Sequence, residues 1–430
     1  MTAFANVFKN LAQSARSLQG NARVCVLYEP IWAIPQTIAL AFQSLYFLAL
    51  GCSAEQVGIL TGAGMLSQFV CALFSGYITD RLGRRRTMAI FDTIGWAGAL
   101  ALFAVSRSFW GLLAASLLNG AFRISTTAWS CVFVEDTPPQ DRGHAFTWLQ
   151  AAGIAAGFFA PLGGMLVTAL GVEPAERILL WCAVLGMVLM TILRTWNLKE
   201  TDISRQMRQI SREQSAGELL QGYVRSLRRL RADGLLLGAL TIRALLFSMA
   251  NLRTTYLPMT LTEGLGLPDA VVATLQTVMS IVMMAVLLLG LPAMQRRDVR
   301  GPLLAAFLAA LVAHGVLLAL PKGLLWPVLV DGVVLAVAVV TTEPLMAAMF
   351  ANSMQESERA LMMATMALLS LIVSAVFQYA GGVAARLEPR SPMILIAALS
   401  AVCALVLLGM MRKCNAGTPQ AQAQAQEKHS

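Results

Sequence analysis

The sequence predicts an all-α membrane protein with twelve transmembrane helices in two pseudo-symmetric six-helix bundles. Only 13% of the 430 residues are charged and 57% are hydrophobic, whereas soluble domains carry about 25% charged residues. Apolar windows of about 20 residues, the length that crosses a bilayer core, recur along the chain. One long charged interruption at 198–234 divides these windows into six and six. This composition excludes an ordinary soluble enzyme, a disordered chain and a disulfide-rich secreted scaffold.

The predicted spans are separated by short polar loops. They are 24–48, 56–79, 88–106, 110–134, 144–170, 177–197, 235–258, 268–294, 301–320, 324–350, 361–385 and 391–412. The organisation that follows is a cytoplasmic segment 1–23, a bundle 24–197, a basic linker 198–234, a bundle 235–412 and a tail 413–430. The Gln/Ala repeats of that tail predict disorder.

The two halves resemble each other, and their loops carry an orientation signal. LGCSAEQVGIL at 50–60 aligns with LGLPDAVVATL at 265–275, and the same offset pairs the basic loops at 80–86 and 295–300. Transporters often build one central site between such repeats. With both termini on one side, that side carries 23 Lys and Arg residues and the other carries 5. The positive-inside rule places both termini in the cytoplasm, and we expect a bacterial cytoplasmic (plasma) membrane.

The loop between the second and third spans carries a specific motif. It reads Gly76-Tyr77-Ile78-Thr79-Asp80-Arg81-Leu82-Gly83-Arg84-Arg85-Arg86. It resembles the G-x-x-x-D-R-x-G-R-R-R loop of the major facilitator superfamily, at the same place among twelve spans. We expect Gly76 to let helices pack closely, Gly83 to allow a tight reversal, and the arginines to pair with acids on neighbouring helix ends. The alternative is a simple positive-inside anchor.

The resemblance implies a rocker-switch transporter with one central cavity between the halves. Spans 1, 4, 7 and 10 would line the cavity, and spans 3, 6, 9 and 12 would be peripheral. The motif loop would act as a cytoplasmic gate latch, in which Asp80 and Arg84 pair with Glu135 or Asp136. The full gate set is Gly76, Asp80, Arg81, Gly83, Arg84, Arg85, Arg86, Glu135, Asp136 and Arg142.

A stretch of the fifth span, from Gly153 to Gly164, resembles the Gly/Pro-rich motif of drug exporters in the same superfamily. It departs from that motif at Ala160 and in the spacing after Pro161. It favours efflux, and the alternative is close helix packing around a proline bend.

Ionisable residues inside spans cost about 2.5–3.5 kcal/mol on insertion scales, so the few present here are functional candidates. Glu29, Asp331 and Glu343 are the candidates for proton coupling, with static ion pairing as the alternative. Depth along the spans matches Arg243 with Glu343 and Arg253 with Asp331, and either pair could meet across the lining helices. The cavity candidates are Arg123, Arg243, Arg253, Trp32, Gln36, Asn119, Trp129, Asn251 and Tyr256.

For three further ionisable residues we expect structural rather than functional roles. We expect Asp92 to pair with the Arg-rich loop and Arg194 to extend to the membrane surface. His314 lies in the ninth span, which the resemblance makes peripheral, so a proton-relay role is disfavoured.

These features predict a secondary active transporter of a small organic solute, coupled to protons, with uptake of a polar or anionic metabolite as the alternative to efflux. Nucleotide-loop and metal-ligand spacings are absent from the sequence, so ATP-driven transport is disfavoured and we expect no cofactor or metal. A membrane enzyme would need a clustered catalytic set, and the single acidic cluster, Glu135-Asp136 with Asp141, suits a latch beside the Arg-rich loop better, so we expect no enzyme activity. The expected partners are membrane lipid, a small-molecule substrate and protons, without nucleic acid, and the expected state is a monomer. A transporter-like sensor or scaffold stays open, because the basic run at 225–231 could bind anionic lipid or a partner; a solvated linker helix is the alternative.

Overall fold

The computed structural model describes residues 20–135, 137, 142–210, 216–232, 234–290, 300–351 and 356–416. Within these ranges every regular element is helical, which confirms the predicted all-α class. Most of the predicted cytoplasmic segment 1–23 and most of the predicted disordered tail 413–430 lie outside the described ranges.

Twelve long helices and two linker helices make up the described chain. The helices before the linker are α1 (Gly20–Ala49), α2 (Ala54–Leu82), α3 (Arg84–Val105), α4 (Phe109–Asn119 and Phe122–Glu135), α5 (Arg142–Ala156, Gly157–Phe159 and Ala160–Leu170) and α6 (Val172–Asn197). The linker contains α7 (Asp202–Ile210) and α8 (Ala216–Ala232). The helices after the linker are α9 (Gly234–Met259 and Thr260–Gly264), α10 (Ala270–Gly290), α11 (Arg300–Ala319), α12 (Leu325–Ala351), α13 (Glu356–Leu387) and α14 (Ser391–Ala416).

The predicted spans match these helices with small shifts at their ends. The first helix already runs from Gly20, and the last continues to Ala416, beyond the predicted limits at 24 and 412. The segment predicted as a basic linker folds into two helices. We call the side that carries Gly20, Gly83 and the linker the basic side, and the other the opposite side.

Eleven stretches of the described chain are long and apolar enough to cross a membrane. The twelfth spanning helix, α4, is interrupted at Gly120, which leaves segments of 11 and 14 residues. Its neighbours satisfy polar groups at the break: Ser67 donates a hydrogen bond of 2.6 Å to the Leu117 carbonyl. Asn119 donates one of 2.9 Å to the carbonyl of Gly95, which lies in a π-helical turn of α3. Such compensation makes a broken helix tolerable in a bilayer.

Local sequence signals explain where α2 begins and ends. The Gln56 amide donates to Ser53 Oγ at 3.2 Å, and the Ser53 amide donates to Gln56 Oε1 at 2.8 Å. This reciprocal capping box satisfies free donors at the helix start. The helix ends at Gly83, whose φ of +86° strongly favours glycine.

The two halves contact each other mainly through three helix pairs, α2 with α13, α5 with α10, and α1 with α9, and α1 also contacts α10. Each span of one half corresponds to the span six places away in the other half. The α2–α13 pair, formed by spans 2 and 11, therefore corresponds to the α10–α5 pair, formed by spans 8 and 5. The interface is therefore organised by the pseudo-two-fold relation that the sequence repeats predict. The central cavity lies along this interface.

Candidate functional site

The cavity between the halves consists of two adjoining chambers that share Leu40 and Thr254. The first chamber, of about 220 Å³, is enclosed mainly by α1, α2, α4, α9 and α13. The second chamber, of about 180 Å³, is enclosed by α1, α9 and α10. Leu40 is 41% exposed inside a helical bundle, so its side chain borders the open space of the chambers.

Uncharged hydrogen-bonding groups dominate the polar lining of both chambers. Side-chain amides come from Gln43, Gln68, Asn119, Asn251, Gln276 and Gln378. Hydroxyl groups come from Thr37, Ser44, Thr61, Ser116, Thr254 and Thr255. Among the described lining residues, Arg253 is the single charged side chain. The lining suits a solute that is neutral or anionic and offers several hydrogen-bonding atoms.

The halves are closed against each other on the opposite side. Arg386 of α13 forms an ion pair of 2.6 Å with Glu55 of α2. One turn deeper, a Cβ added to Gly58 would lie 2.8 Å from the Gln378 carbonyl and 3.0 Å from the Gly382 Cα. The Tyr256 hydroxyl donates to that same carbonyl at 2.7 Å. Backbone contact of this kind leaves no passage between α2 and α13.

A polar face of α4 extends from the first chamber towards the basic side. Asn119, Arg123, Thr126 and Ser130 recur at helical spacing, so they share a face. Asn119 lines the first chamber, and Thr126 and Ser130 are exposed. The Arg123 guanidinium lies on this face, where its Nε donates to Gln68 Oε1 at 3.0 Å. The described conformation is therefore closed on the opposite side, and a polar face of α4 leads from the first chamber towards the basic side.

The structure divides the expected cavity residues into two groups. Asn119, Asn251 and Arg253 line the chambers, and Arg123 reaches the first chamber through Gln68. The remaining expected residues, Trp32, Gln36, Trp129, Tyr256 and Arg243, are not among the described lining residues.

Side-chain direction explains these differences. Trp32 turns towards α3, where its ring lies 4.7 Å from that of Trp96. Trp129 stacks on Phe133 at 5.0 Å within α4. Gln36 has a buried Oε1 without a hydrogen-bond partner in the described chain. Tyr256 belongs to the closed contact with α13 rather than to the cavity.

The set of lining helices also differs from the expectation. Spans 1, 4 and 7 contribute as the resemblance implied, but α2, α10 and α13 contribute as well. The tenth span, α12, supplies none of the described lining residues of the two chambers. Its residues border a smaller pocket behind Arg253.

The motif loop holds a buried ion-pair network on the basic side. Arg84 pairs with Asp80 one turn earlier, and its Nη2 lies 3.1 Å from Glu135 Oε1 at the end of α4. The Arg84 side chain is 5% exposed. The pairing with Glu135 is the one that the resemblance implied, and Asp136 lies outside the described residues. Charge-assisted bonds of this kind fix the ends of α2, α3 and α4 relative to one another.

The start of the linker covers this network. The Glu200 carboxylate accepts a hydrogen bond of 2.9 Å from the Arg84 amide, and the Thr201 hydroxyl donates to Glu135. Arg208 donates to the Leu82 carbonyl at 3.0 Å. The linker is therefore not a freely solvated helix on the membrane surface, because its first helix is docked on the motif loop.

The two motif glycines have different environments. Gly83 has a φ of +86°, and an added Cβ would lie 1.8 Å from Arg208 Nη2. The predicted reversal is therefore present, and the linker packs directly against it. Gly76 does not meet its expectation: an added Cβ would have no heavy atom within 4 Å, so no close helix contact depends on it.

The other gate residues make separate contacts. The Arg81 guanidinium lies 4.4 Å from the Tyr77 ring centre, and Arg85 donates to the Thr195 carbonyl of α6 at 2.8 Å. Arg86 is exposed. The side chain of Arg142 lies outside what the structure describes.

A second buried ion pair lies inside the first half. Arg194 of α6 pairs with Asp92 of α3, and the two side chains are 5% and 6% exposed. Both expectations for these residues are wrong: Asp92 does not pair with the Arg-rich loop, and Arg194 does not extend to the surface. Glu29 accepts a hydrogen bond of 3.1 Å from Trp32 Nε1 and lies within electrostatic reach of Arg194. Its carboxylate therefore belongs to the α1–α3–α6 side of the bundle.

The arginines and acids of the second half do not form the expected Arg253–Asp331 pair. Within the described chain, Arg253 has neither an ion pair nor a hydrogen bond. Asp331 is 5% exposed and likewise has no described partner. The side chain of Glu343 lies outside the described residues, and Arg243 forms no ion pair with any described residue. Depth counted along the sequence was insufficient to predict the pair, because Arg253 borders residues of α12 at least one turn beyond Asp331.

Sequence reasoning missed two kinds of residue. Glu176 is completely buried, and neither carboxylate oxygen has a hydrogen-bond partner in the described chain. It precedes the predicted start of the sixth span, so it was not counted as intramembrane. The hydroxyl and amide side chains of α2, such as Gln68, were missed because α2 was not expected to line the cavity.

The Gly/Pro-rich stretch of α5 packs closely and bends. A 3₁₀ turn at Gly157–Phe159 precedes Pro161. An added Cβ on Gly157 would lie 2.0 Å from Ser280 Oγ, and one on Gly164 would lie 2.9 Å from the Ala273 Cβ. Small residues here allow α5 to contact α10 across the interface between the halves.

Comparison with protein families matches residues 32–291 to the family described as Major Facilitator Superfamily. The uncharacterized MFS-type transporter YqjV of Bacillus subtilis (strain 168) is 28% identical over 85 residues, 20% of this chain and 20% of that protein. Major facilitator superfamily domain-containing protein 10 of Homo sapiens is 30% identical over 128 residues, 30% of this chain and 26% of that protein. The chain thus aligns with about a fifth to a quarter of the length of these curated relatives.

Solved structures share the fold over nearly the whole chain. A mutant of the nucleoside transporter NupG has a TM-score of 0.71 at 14% identity, covering 91% of this chain and 99% of that one. The human organic anion transporter MFSD10 (TETRAN) has a TM-score of 0.60 at 18% identity, covering 90% and 100%. A POT family transporter in complex with 5-aminolevulinic acid has a TM-score of 0.68 at 12% identity, covering 91% and 96%. At these identities the likeness establishes the fold.

Proposed function

This chain belongs to the major facilitator superfamily, and on that premise we propose that it is a proton-driven secondary active transporter of a small organic solute. The observation that carries the proposal is the two-chamber cavity between the halves, closed by backbone contact on one side. A solute in this cavity would leave towards the basic side, and rocking of the halves would expose it to the other. The family consists of transporters rather than enzymes.

The lining favours a neutral or anionic solute over a cationic one. Six side-chain amides and one arginine face the chambers, and the described lining contains no acid. A buried cationic solute would lack a counter-charge, which is costly in a low-dielectric site. Two proteins of similar structure are named as a nucleoside transporter and an organic anion transporter. Their solutes are one neutral and one anionic class, the two classes that the lining favours here.

Proton coupling requires a titratable group that exchanges protons as the halves rock, and buried acids are the first candidates. Glu29 is held by Trp32 beside the Asp92–Arg194 pair, and Asp331 is buried without a described partner. A change in the distance between Glu29 and the Asp92–Arg194 pair during the cycle would change the electrostatic environment of Glu29. Glu29 and Asp331 are the two acids we assign to this step, and Glu343 is the third candidate.

Two features bear on the direction of transport. The Gly/Pro-rich stretch of α5 packs at the moving interface and resembles that of exporters, which favours efflux. Arg253 in the cavity favours an anionic metabolite, which suits proton-coupled uptake as the second candidate.

Flux in proteoliposomes tests the proposal. The purified protein is reconstituted with an imposed pH gradient, and a panel of nucleosides, organic acids and amines is screened for movement. We expect a neutral or anionic compound to move in a gradient-dependent way, and Glu29→Gln or Asp331→Asn to remove that dependence. Asp202→Asn, at an exposed linker position, is the matched control. Absence of gradient-dependent flux for every compound, with folded protein, would refute the proposal.

A further inference from the structure

A small pocket lies behind the second chamber, inside the second half. It has a volume of about 70 Å³ and is enclosed by α9, α11, α12 and α14. Arg253 lines both this side pocket and the second chamber, so it forms the wall between them. His314 lines the side pocket from α11, and Thr342 lines it from α12.

The hydrogen bonding of His314 fixes which ring nitrogen is free. Nδ1 lies 2.6 Å from the Ala310 carbonyl, which can only accept, so Nδ1 carries the proton. Nε2 is then the basic nitrogen of the neutral ring. The residue is 2% exposed, and Nε2 is buried without a hydrogen-bond partner in the described chain. A polar atom buried in this way normally has a partner, so Nε2 is an acceptor that remains available to a ligand in the side pocket.

Arg253 also lacks a hydrogen-bond or ion-pair partner in the described chain. A guanidinium carries five donors, and within the described helices this one has no acceptor and no acid. An unpaired charge at membrane depth is costly unless it faces water or a counter-ion. Arg253 faces the second chamber, from which an anion can approach it.

We propose that Arg253 and His314 form a joint site for the carboxylate, or a comparable anionic group, of the solute together with one proton. This inference rests on the proposed function. The anionic group binds to Arg253 from the second chamber, and a proton from water binds to His314 Nε2 in the side pocket. Proton and anion bind together because each makes the other more favourable.

The charges explain this mutual dependence. Without an anion, a protonated His314 would add a second positive charge beside Arg253 in a site without a described acid. A bound carboxylate neutralises Arg253, and protonation of His314 then restores a single net positive charge. Because coupling between two ligands is reciprocal, protonation of His314 must strengthen anion binding to the same degree.

The other titratable groups around His314 do not replace this partnership. Asp331 on α12 and Cys403 on α14 are both buried, and Arg390 binds carbonyls at the outer end of α11. None of them lines the side pocket, and Arg253 is the charge that acts on His314. Glu343 follows Thr342 on α12, and its side chain lies outside the described residues.

Binding calorimetry on the full chain in lipid nanodiscs tests the proposal. The probe is benzoate, which remains ionised between pH 6 and pH 8, and its uncharged isostere benzamide is the comparison. We expect benzoate to bind about tenfold more tightly at pH 6 than at pH 8. His314→Asn, which keeps a donor near the Ala310 carbonyl, should make the affinity independent of pH.

Further variants separate the two groups. Arg253→Gln should weaken benzoate binding at both pH values by about tenfold or more, whereas Arg253→Lys should retain most of the affinity because it keeps the charge. His144→Asn, which removes a histidine at the start of α5 instead, is the matched control and should behave as the wild type. A chloride titration at equal ionic strength distinguishes a solute carboxylate from an inorganic anion.

Several results would overturn the proposal, and three of them need no variant. They are absence of benzoate binding, equal binding of benzamide, or an affinity that does not change with pH in the wild type. Persistence of the pH dependence in folded His314→Asn would do the same. If solute flux persists but benzoate binding does not depend on pH, the joint site is refuted and the proposed transport function stands. If benzoate binding depends on pH but no solute moves in proteoliposomes, the transport function is refuted and the joint site stands.

Discussion

Replacement of Gly58 by valine should prevent full closure on the opposite side. An added Cβ would lie 2.8 Å from the Gln378 carbonyl and 3.0 Å from the Gly382 Cα, and both are backbone atoms that cannot rotate away. Overpacking of this kind costs about 1–3 kcal/mol. Because the cost applies only to the state in which α2 and α13 touch, the balance should shift by roughly 5- to 150-fold towards opening on that side.

Thiol labelling from the opposite side measures this shift. Thr254, an exposed residue shared by both chambers, is changed to cysteine in a background whose native cysteines are serine. In wild-type vesicles a membrane-impermeant maleimide should react slowly, and Gly58→Val should raise its rate at least fivefold. Gly76→Val in the same helix is the matched control, since an added Cβ there has no heavy atom within 4 Å. Equal rates for wild type and Gly58→Val would refute the assignment of α2 and α13 as the closed gate.

Three further substitutions test other parts of the structure. Asp92→Ala should destabilise the fold by roughly 3–5 kcal/mol, because it leaves its buried arginine partner unpaired; Asp202→Ala, which breaks an exposed pair, should leave the thermal midpoint unchanged. Gly83→Ala should lower the thermal midpoint more than Gly51→Ala, since both have a φ of +86° but only the first would meet a side chain; equal losses would show that the linker contact is unimportant. Burial raises the pKa of the Asp269 carboxyl, which lies in the loop before α10. The folded protein therefore favours the protonated carboxyl, and the stabilisation from this residue is complete below its ordinary pKa of 3.8. That stabilisation is lost as the pH rises through the raised pKa of the folded state. Asp269→Asn should therefore reduce the difference between thermal midpoints at pH 4 and pH 7, and an unchanged difference would contradict that reasoning.

The positions of the helices were predictable because a bilayer imposes a minimum apolar length on each span. The pairing of Arg84 with Glu135 was also predictable, but only through the resemblance of the loop motif to that of the major facilitator superfamily. The spans follow from position along the chain, whereas the pairing follows from the resemblance.

The lining of the cavity was less predictable because it depends on rotation about each helix axis. Trp32 lies in a lining helix but turns towards Trp96, and Tyr256 turns into the contact between the halves. Depth counted along the sequence matches Arg253 with Asp331, yet the two form no pair in the described chain. His314 was assigned to a peripheral span, yet its ring borders the same pocket as Arg253. Packing sets these directions, and hydropathy carries no information about them.

A solute gradient that moves protons is the sharpest test of coupled transport by this protein. Proteoliposomes that enclose a pH-sensitive dye, without an imposed pH gradient, receive an inward gradient of each compound from the flux panel. The mechanism predicts a pH change inside the vesicles for at least one neutral or anionic compound. That change should be absent from protein-free vesicles and from Glu29→Gln or Asp331→Asn protein. Movement of a solute through the wild-type protein without any accompanying proton movement would contradict the mechanism.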